Sequence, residues 1–318
     1  MSAANCSIGV DVGGTNIKFG IVGEDGTILV KSKRRTEVSG GPDAVIEEIA
    51  GGIESLLAES ELRRTEIRSI GVGIPGTTDS RTGVVVFAPN LFWKNVAIVR
   101  ILRRLYDVPI CIAQDTRAAA WAEYLVGAGR GLDCVVSVTL GTGIGCGMVV
   151  AGRIYHGALN TAGEFGHQIV ELDGNPCNCG GRGCLEAHAG GLAIVRRAKA
   201  AIPDLGALVH KASEEVEVDD VFRLALNGQP EARRVAGDVV KYVGMGLVNL
   251  ININSPQLIS ISGGISNAPP ELLLDPLVDF VRSRAYQSAA AEVRICRSEV
   301  GEDTPLVGAA LLYRENAA

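Results

Sequence analysis

The chain has 318 residues, of which 47% are hydrophobic and 21% charged, and these ordinary globular values exclude a disordered tail protein or a coiled coil. Glycine is over-represented at 40 residues, about 13% against a usual value of roughly 7%, and it occurs in short clusters typical of phosphate-binding turns rather than fibres. The net charge of −6 and the absence of a long basic run disfavour a nucleic-acid partner.

The N-terminus lacks the basic and apolar regions of an export signal, and no apolar stretch approaches the roughly 20 residues of a membrane span. We therefore expect a soluble, cytoplasmic protein without a membrane partner. Five of the eight cysteines are scattered, four of them within or beside apolar strand-like segments, and are predicted to be small core residues. The other three, Cys177, Cys179 and Cys184, share one glycine-rich loop.

The first elements predict an α/β protein. An apolar run from Ile8 turns at a glycine pair and continues through Ile28-Leu-Val, which predicts a three-stranded meander. The elements expected next are a helix over 42–60, a strand over 67–74, a hairpin around Thr82-Gly83, a helix over 96–106, a strand over 109–113 and a helix after Gln114-Asp115-Thr116. This alternation of strands and helices indicates the α/β class.

The segment from Val135 repeats the opening pattern of strand, glycine turn and strand. Laid on the first segment, Asp11 meets Thr139, Gly13 meets Gly141, and Ile21 meets Val149. Two glycine turns facing one ligand suit a polyphosphate, because backbone N–H groups approach closely where no Cβ intervenes. The sequence thus predicts an internally duplicated fold that binds a nucleotide, although either turn alone is more typical of an ordinary hairpin.

Helices dominate the later part of the chain. They are predicted over 192–202, 218–227, 230–252, 271–289 and 306–314, with strands over 257–261 and 293–296. We place the domain boundary by topology near Thr116. Residues 1–116, completed by a C-terminal helix within 304–318, form a small α/β domain, and residues 117–303 form a large α/β domain with the cysteine loop.

His167 and the three loop cysteines form a Cys₃His set, which fits closed tetrahedral zinc better than free thiols with an unrelated histidine. Four protein ligands leave no position for water, so the zinc is expected to be structural. Glu164 and Glu186 bracket this set and are expected to accept hydrogen bonds from ligand hydroxyls. The alternative for both is a solvated surface glutamate.

Three further residues have two interpretations each. Asp115 follows an apolar strand at a place where α/β sheets present ligand-binding groups, but Asp115-Thr116 is also a good helix N-cap pair. Asn90 is either a turn residue or a ligand to substrate. Trp93 either packs against an apolar face of a ligand or fills the core.

The motifs together resemble those of ROK-family sugar kinases, and most closely the bacterial glucokinases of that family. The resemblance covers the chain from Ile8 to the C-terminal helix. It rests on the segments Asp11-Val-Gly-Gly-Thr, Gly71-Val-Gly-Ile-Pro-Gly, Pro89-Asn-Leu-Phe-Trp, Asp115 with its Ala-rich helix, Leu140-Gly-Thr-Gly-Ile-Gly-Cys-Gly, Ala162-Gly-Glu-Phe-Gly-His and Cys177-Asn-Cys-Gly-Gly-Arg-Gly-Cys-Leu-Glu. It implies the duplicated actin/hexokinase-like (ribonuclease H-like) fold, with two domains and a cleft between them. It also implies transfer of the γ-phosphate of ATP to the 6-hydroxyl of an aldohexose, with ATP, Mg²⁺ and structural Zn²⁺ bound.

The resemblance also implies a role for each matching residue. Asp115 is the expected base, and the expected sugar ligands are Asn90, Asp115, Glu164, His167 and Glu186. Asp11 is expected near Mg²⁺, and the expected nucleotide-binding residues are Gly13, Gly14, Thr15, Gly141, Thr142, Gly143, Gly263 and Gly264. Two positions depart from the family pattern, because Gln114 stands where Asn is usual and Ser262 replaces the first glycine of a frequent triple-glycine turn.

Glucose is the favoured acceptor, and N-acetylglucosamine, N-acetylmannosamine, fructose and allose are the alternatives within the family. Sugar-responsive transcription repressors of the same family are disfavoured, since they carry a helix-turn-helix module ahead of the sugar domain and this chain reaches its first strand by Ile8. We also expect a homodimer or homotetramer whose only other partners are the sugar and ATP.

Overall fold

The computed structural model describes residues 6–60 and 62–317 and has a mixed α/β fold. The residues before Cys6, on which the expectation about an export signal depends, lie outside the described residues. In chain order the first elements are β1 (Cys6–Val12), β2 (Asn16–Gly23), β3 (Ile28–Arg35), α1 (Gly41–Ser60), β4 (Ile67–Ile74), β5 (Thr77–Asp79), β6 (Val84–Ala88), β7 (Trp93–Val96), α2 (Ile98–Leu102), β8 (Ile110–Gln114) and α3 (Asp115–Val126).

The remaining elements include most of the helices. They are β9 (Cys134–Leu140), β10 (Ile144–Val150), β11 (Arg153–Ile154), α4 (Leu185–Ala189), α5 (Gly191–Ala201), α6 (Leu205–Val209), α7 (Val218–Leu226), α8 (Pro230–Asn254), β12 (Leu258–Ser262), α9 (Leu274–Arg284), α10 (Gln287–Glu292), β13 (Arg294–Arg297) and α11 (Thr304–Ala310). Within the described part of the chain, no helix is both long and apolar enough to cross a membrane.

Two five-stranded sheets share one topology. The first has the order β3-β2-β1-β4-β8 and the second the order β11-β10-β9-β12-β13. Strands β1, β2 and β3 pair antiparallel and β4 and β8 continue in parallel, while in the second sheet β10 and β11 pair antiparallel and β12 and β13 pair parallel. This strand-for-strand match confirms the predicted duplicated fold. A third, small sheet has the order β5-β6-β7.

The central strands of the first sheet contain glycines that admit helix α11 at very close range. A Cβ built on Gly71 would lie 1.7 Å from the Ala309 carbonyl oxygen, and one on Gly308 would lie 1.7 Å from the Ala118 oxygen. No side chain fits in either space, so α11 lies directly against β4 and α3. Part of the glycine excess therefore serves packing, whereas the composition suggested phosphate-binding turns.

The chain separates into two compact units. The first comprises residues up to Ser137, Gly147–Ala162 and the segment from Ser298, and the second comprises Val138–Cys146 and Gly163–Arg297. Helix α3 belongs to the first unit, where Trp121 Nε1 donates to the Leu311 oxygen at 2.9 Å. This division is based on contacts within the chain and does not test the predicted domains, so the boundary near Thr116 stays a prediction.

Several helices differ from their predicted lengths. The helix expected over 96–106 is regular only over Ile98–Leu102, and the helix expected over 271–289 is divided into α9 and α10. It breaks near Tyr286, whose amide donates to Asn252 Oδ1 at 2.8 Å instead of continuing the helical pattern. The last predicted helix begins two residues early, at Thr304, and gives way to a 3-10 helix over Leu312–Ala317.

Candidate active site

The first glycine turn, Gly13-Gly14-Thr15, joins β1 to β2 and is held from one side by Thr36. The Gly13 amide closes the turn on the Asn16 oxygen at 2.9 Å. Thr36 Oγ1 donates to the Gly13 oxygen at 2.7 Å, and the Thr36 amide donates to the Thr15 oxygen at 2.9 Å. The exposed amides of Gly14 and Thr15 donate to no group in the described residues, so both are available to an anion.

The second glycine turn, Gly141-Thr142-Gly143, occupies the equivalent place between β9 and β10 and closes one residue earlier than the first turn. The Gly141 amide closes the turn on the Gly143 oxygen, and Gly191 donates to the Gly141 oxygen, each at 2.9 Å. Here too, the amides of Thr142 and Gly143 have no acceptor among the residues that the structure describes. Each turn thus offers two consecutive backbone donors, as the aligned repeat predicted.

Glu186, in the first turn of α4, contacts the second glycine turn directly. Its Oε2 accepts a hydrogen bond from the Ile144 amide at 2.8 Å. A Cβ built on Gly143 would lie 2.5 Å from the same oxygen, so Glu186 approaches the turn because position 143 has no side chain. Glu186 is half-buried and hydrogen-bonded, which is inconsistent with the alternative of a solvated surface glutamate.

Gly263 and Gly264 follow β12 and lie beside the end of β9. Gly263 has a φ of 87°, and a Cβ there would lie 2.3 Å from the Leu140 oxygen, immediately before the second glycine turn. Around Gly264 a Cβ would meet nothing within 4 Å, which leaves open space next to the backbone. Ser262, the departure from the family pattern, places its hydroxyl 3.2 Å from Thr139 Oγ1 and is buried.

Asp11 and Asp115 are neighbouring carboxylates in the first unit. Asp11 lies opposite Lys18 in the β1–β2 pair, and Asp115 begins α3 at the end of β8. Burial and the negative charge of Asp115 raise the pKa of Asp11 to about 7. Asp115 is the first helical residue rather than the N-cap, which is Gln114, and its Oδ1 accepts from the Thr116 amide at 2.7 Å. The N-cap is therefore Gln114 and not Asp115, although the Asp115 carboxylate does accept from an amide of the first helical turn.

Asn90 lies at the edge of the first glycine turn. It is exposed on the 3-10 turn Pro89–Leu91, and a Cβ built on Gly14 would lie 3.8 Å from the Cβ of Asn90. Trp93, three residues later, is fully buried, so it fills the core and does not face a ligand.

The Cys₃His residues converge in the second unit. One ligand atom from each of His167, Cys177, Cys179 and Cys184 lies within 4.8 Å of all the others. The Cys179 and Cys184 sulfurs are 3.7 Å apart, and Cys177 Sγ is 3.6 Å from His167 Nδ1. Tetrahedral zinc with Zn–S of about 2.3 Å and Zn–N of about 2.0–2.1 Å needs separations of about 3.8 Å and about 3.6 Å. The four residues therefore fit a zinc ion.

The two nitrogens of His167 face different groups. While Nδ1 points to the sulfur cluster, Nε2 lies 4.0 Å from Glu164 Oε2. Glu164 is exposed, so its carboxylate is open to a ligand as well as to water. Zinc at Nδ1 would fix the ring orientation and leave Nε2–H as a donor beside Glu164.

Two further residues, which no sequence motif indicates, support candidate groups, one in each unit. Thr36 holds the first glycine turn, as described above. His188 is buried and braces the cysteine loop, since its Nε2 accepts from the Asn175 amide at 3.2 Å and its Nδ1 lies 3.3 Å from Glu171 Oε2. Neither belongs to a recognisable motif, because each acts through a contact with a segment distant in sequence.

The family model "ROK family" matches residues 7–316, so the chain belongs to the ROK family. It is 36% identical over 313 residues to a glucokinase of Thermotoga maritima, covering 97% of both chains. It superposes on the crystal structure of a ROK family glucokinase from Streptomyces griseus in complex with glucose and AMPPNP with a TM-score of 0.85 and 31% identity, covering 98% of this chain and 99% of the other. It is also 26% identical to the xylose repressor of Bacillus subtilis, covering 96% of this chain and 76% of the repressor. The fold is that of the ROK glucokinases, the two-domain actin/hexokinase-like fold.

Proposed function

We propose that this chain is an ATP-dependent sugar kinase of the glucokinase type, which transfers the γ-phosphate of ATP to the 6-hydroxyl of glucose. The observation that carries the proposal is the pair of matched glycine turns, each with two free amides, in a chain that also has a carboxylate at the start of α3. Phosphoryl transfer asks a protein for alignment and charge compensation, and these groups supply both.

In this mechanism Asp115 orients the 6-hydroxyl and accepts its proton as the oxygen attacks the γ-phosphorus. The amides of Gly14, Thr15, Thr142 and Gly143 hold phosphate oxygens as negative charge shifts toward the leaving group. Gly263 and Gly264 line the space proposed for the adenosine.

Asn90, Glu164, His167 and Glu186 are proposed to bind the other sugar hydroxyls. Ionised carboxylates accept hydrogen bonds only, so Glu164 and Glu186 select for donors. His167 Nε2–H would donate beside Glu164. A hydroxyl missing from the substrate would leave a carboxylate oxygen unpaired, which penalises the wrong sugar.

Two metals are assigned different tasks. Asp11 would hold Mg²⁺. Burial and the negative charge of Asp115 both disfavour the ionised carboxylate and raise its pKa, and a cation bound there would offset both effects. Bound Mg²⁺ supplies charge neutralisation for the phosphates. Zinc held by His167, Cys177, Cys179 and Cys184 has no open position and would be structural, fixing the loop that leads into α4 and Glu186.

Replacing Asp115 tests the catalytic assignment. Asp115→Asn retains a hydrogen-bonding group but cannot accept the proton, so we expect kcat to fall by a factor of about 10² to 10⁴ with glucose affinity largely kept. Coupled assays of ADP release and calorimetric titration with glucose measure the two quantities. Retention of more than about half the wild-type rate contradicts this role.

A competition assay tests the acceptor. We expect kcat/KM for glucose to exceed that for N-acetylglucosamine by at least about tenfold, or about 1.4 kcal/mol in transition-state binding. Preferential phosphorylation of the amino sugar moves the chain to the N-acetylhexosamine kinases, with Asp115 unchanged as the base. Sugar binding without turnover of any sugar favours a regulator instead.

A further inference from the structure

Arg117 is a charged side chain in the interior of the first unit. It is only 1% exposed and lies two residues after Asp115 on α3. Its Nη2 donates to two carbonyl oxygens, those of Asn160 and Ala162, each at 2.9 Å. A guanidinium is costly to remove from water, and these two hydrogen bonds from a single nitrogen offset part of that cost, while Nε and Nη1 are buried without a hydrogen-bond acceptor in the described residues.

The two carbonyls belong to the loop that follows β11. Within the loop, the Ala162 amide donates to the His156 oxygen at 3.1 Å and the Asn160 amide to the Gly157 oxygen at 3.4 Å, and His156 Nε2 lies 3.1 Å from Glu315 Oε1. Leu159, at the tip, is 79% exposed and packs against little. Besides these contacts, the two hydrogen bonds from the buried Arg117 hold the second half of the loop, at Asn160 and Ala162.

This loop leads directly into a proposed sugar ligand. Ala162 is followed by Gly163 and Glu164, so a shift of the Ala162 carbonyl is passed along the backbone to the Glu164 segment through Gly163, which lies against the Cys146 carbonyl. The other end of the contact is the first turn of α3, which begins with Asp115. A single side chain thus joins the helix of the proposed base to the loop that precedes a proposed acceptor of sugar hydroxyls.

We propose that Arg117 is a positioning residue for sugar binding, which holds the loop 157–162 in the conformation that presents Glu164 to the sugar. The proposal builds on the kinase function above. It assigns Arg117 no contact with substrate, and it predicts an effect on the sugar and not on the nucleotide.

Kinetics of two variants test this role. In Arg117→Met, which keeps a long apolar stem, we expect KM for glucose to rise at least about tenfold, because a small displacement of binding groups is costly. KM for ATP should stay within about twofold. Arg117→Lys keeps the charge but not the planar fork and should be intermediate. Arg130→Met, at an exposed arginine just after α3, is the matched control and should match the wild type.

Hydrogen exchange supplies a readout that a merely stabilising residue would not move. In Arg117→Met, the amides of Asn160 and Ala162, which donate to carbonyls at the start of the loop, should exchange at least about tenfold faster, while those of residues 118–126 in α3 keep their protection. The proposal is overturned if both segments lose protection equally, if the folded variant keeps the wild-type KM for glucose, or if the KM values for glucose and ATP rise equally. If the Met variant does not fold, Arg117→Lys decides by the same criteria. Absence of sugar turnover in the wild type contradicts the kinase function instead. The exchange data then still test whether Arg117 holds the loop 157–162.

Discussion

Glu186 contacts the second glycine turn and is also proposed to bind the sugar. One of its oxygens accepts from the Ile144 amide next to the second glycine turn, and the residue is also a proposed sugar ligand. A change at Glu186 therefore affects sugar binding, nucleotide binding or both, depending on which hydrogen bonds the new side chain retains.

Two substitutions at Glu186 separate these contributions. In Glu186→Gln the amide oxygen still accepts from Ile144, so we expect KM for glucose to rise while KM for ATP stays near the wild-type value. Glu186→Ala loses both contacts, and KM for ATP should then rise about fivefold or more, the worth of about 1 kcal/mol for one hydrogen bond. Glu164→Gln, which has no contact with the turn in the described residues, is the control. Equal ATP effects in Gln and Ala variants argue against the link.

The raised pKa of Asp11 makes a prediction about stability and pH. With a folded pKa near 7 against an ordinary value near 4, the folded state holds a proton that the unfolded state lacks between these pH values. Stability conferred by Asp11 is therefore present at low pH and is lost as pH rises through 7. We expect Asp11→Asn to raise Tm at pH 8 in buffer without nucleotide or Mg²⁺, and to raise it less at pH 5.

Asp303, in the same unit, serves as a control because its pKa is lowered rather than raised. Burial opposes its ionisation, but Lys31 and Lys18 outweigh burial and hold the pKa of Asp303 below its usual value. Its stabilising effect is present above that range and disappears as pH falls through it. Asp303→Asn should therefore lower Tm at pH 8. Calorimetric scans that show Asp11→Asn less stable than the wild type at pH 8 contradict the assigned pKa.

At the scale of elements, the first glycine turn is stabilised by the residue after β3. Thr36 binds two of its carbonyls and leaves the amides of Gly14 and Thr15 free for an anion. Thr36→Val keeps the shape and loses the Gly13 contact, so we expect KM for ATP to rise about fivefold and glucose KM to stay unchanged. Thr36→Ser, which keeps the hydroxyl, should restore most of the affinity.

A buried serine pair distinguishes this local effect from a general loss of stability. Ser69 Oγ lies 3.0 Å from Ser7 Oγ, in β4 and β1. Position 7 is six residues from the turn, about 20 Å along an extended strand. Ser69→Ala should lower stability with no change in KM for ATP. Similar ATP kinetics in Thr36→Val and the wild type show that the turn does not depend on Thr36.

The elements differ in how far the sequence predicts them. The long apolar strands around Gly13 and Gly141 predicted both sheets and their repeat, because strand patterns and glycine turns are local signals. The five-residue helix α4 and the strand β7 are too short to show a period, and the break at Tyr286 depends on Asn252, which is distant in sequence. Thr36 and Arg117 were missed for the same reason, while the cysteine spacing predicted directly that the three thiols and His167 converge.

At the scale of the whole molecule, the proposed zinc cluster replaces a hydrophobic core beneath its loop. The loop from Cys177 to Cys184 is largely exposed and glycine-rich, with few apolar side chains to bury. Metal-binding free energy is then part of the folding free energy of this region. The first unit, with its large apolar core and the first glycine turn, contains none of the four ligands.

Loss of one ligand should therefore act on the second unit selectively. We expect about one zinc per wild-type chain, and Cys179→Ala should lose both the zinc and glucose binding, since His167 and the loop leading to Glu186 lose their fixed positions. Amide exchange around Gly13 and Thr36 should be unchanged, because these residues belong to the other unit. Elemental analysis, glucose titration and hydrogen exchange measure the three outcomes.

Cys6→Ala removes a buried thiol outside the cluster and should keep zinc and glucose binding. Less than about half an equivalent of zinc in freshly purified wild-type protein, together with full activity after treatment with a strong chelator, would show that the four residues hold no structural metal.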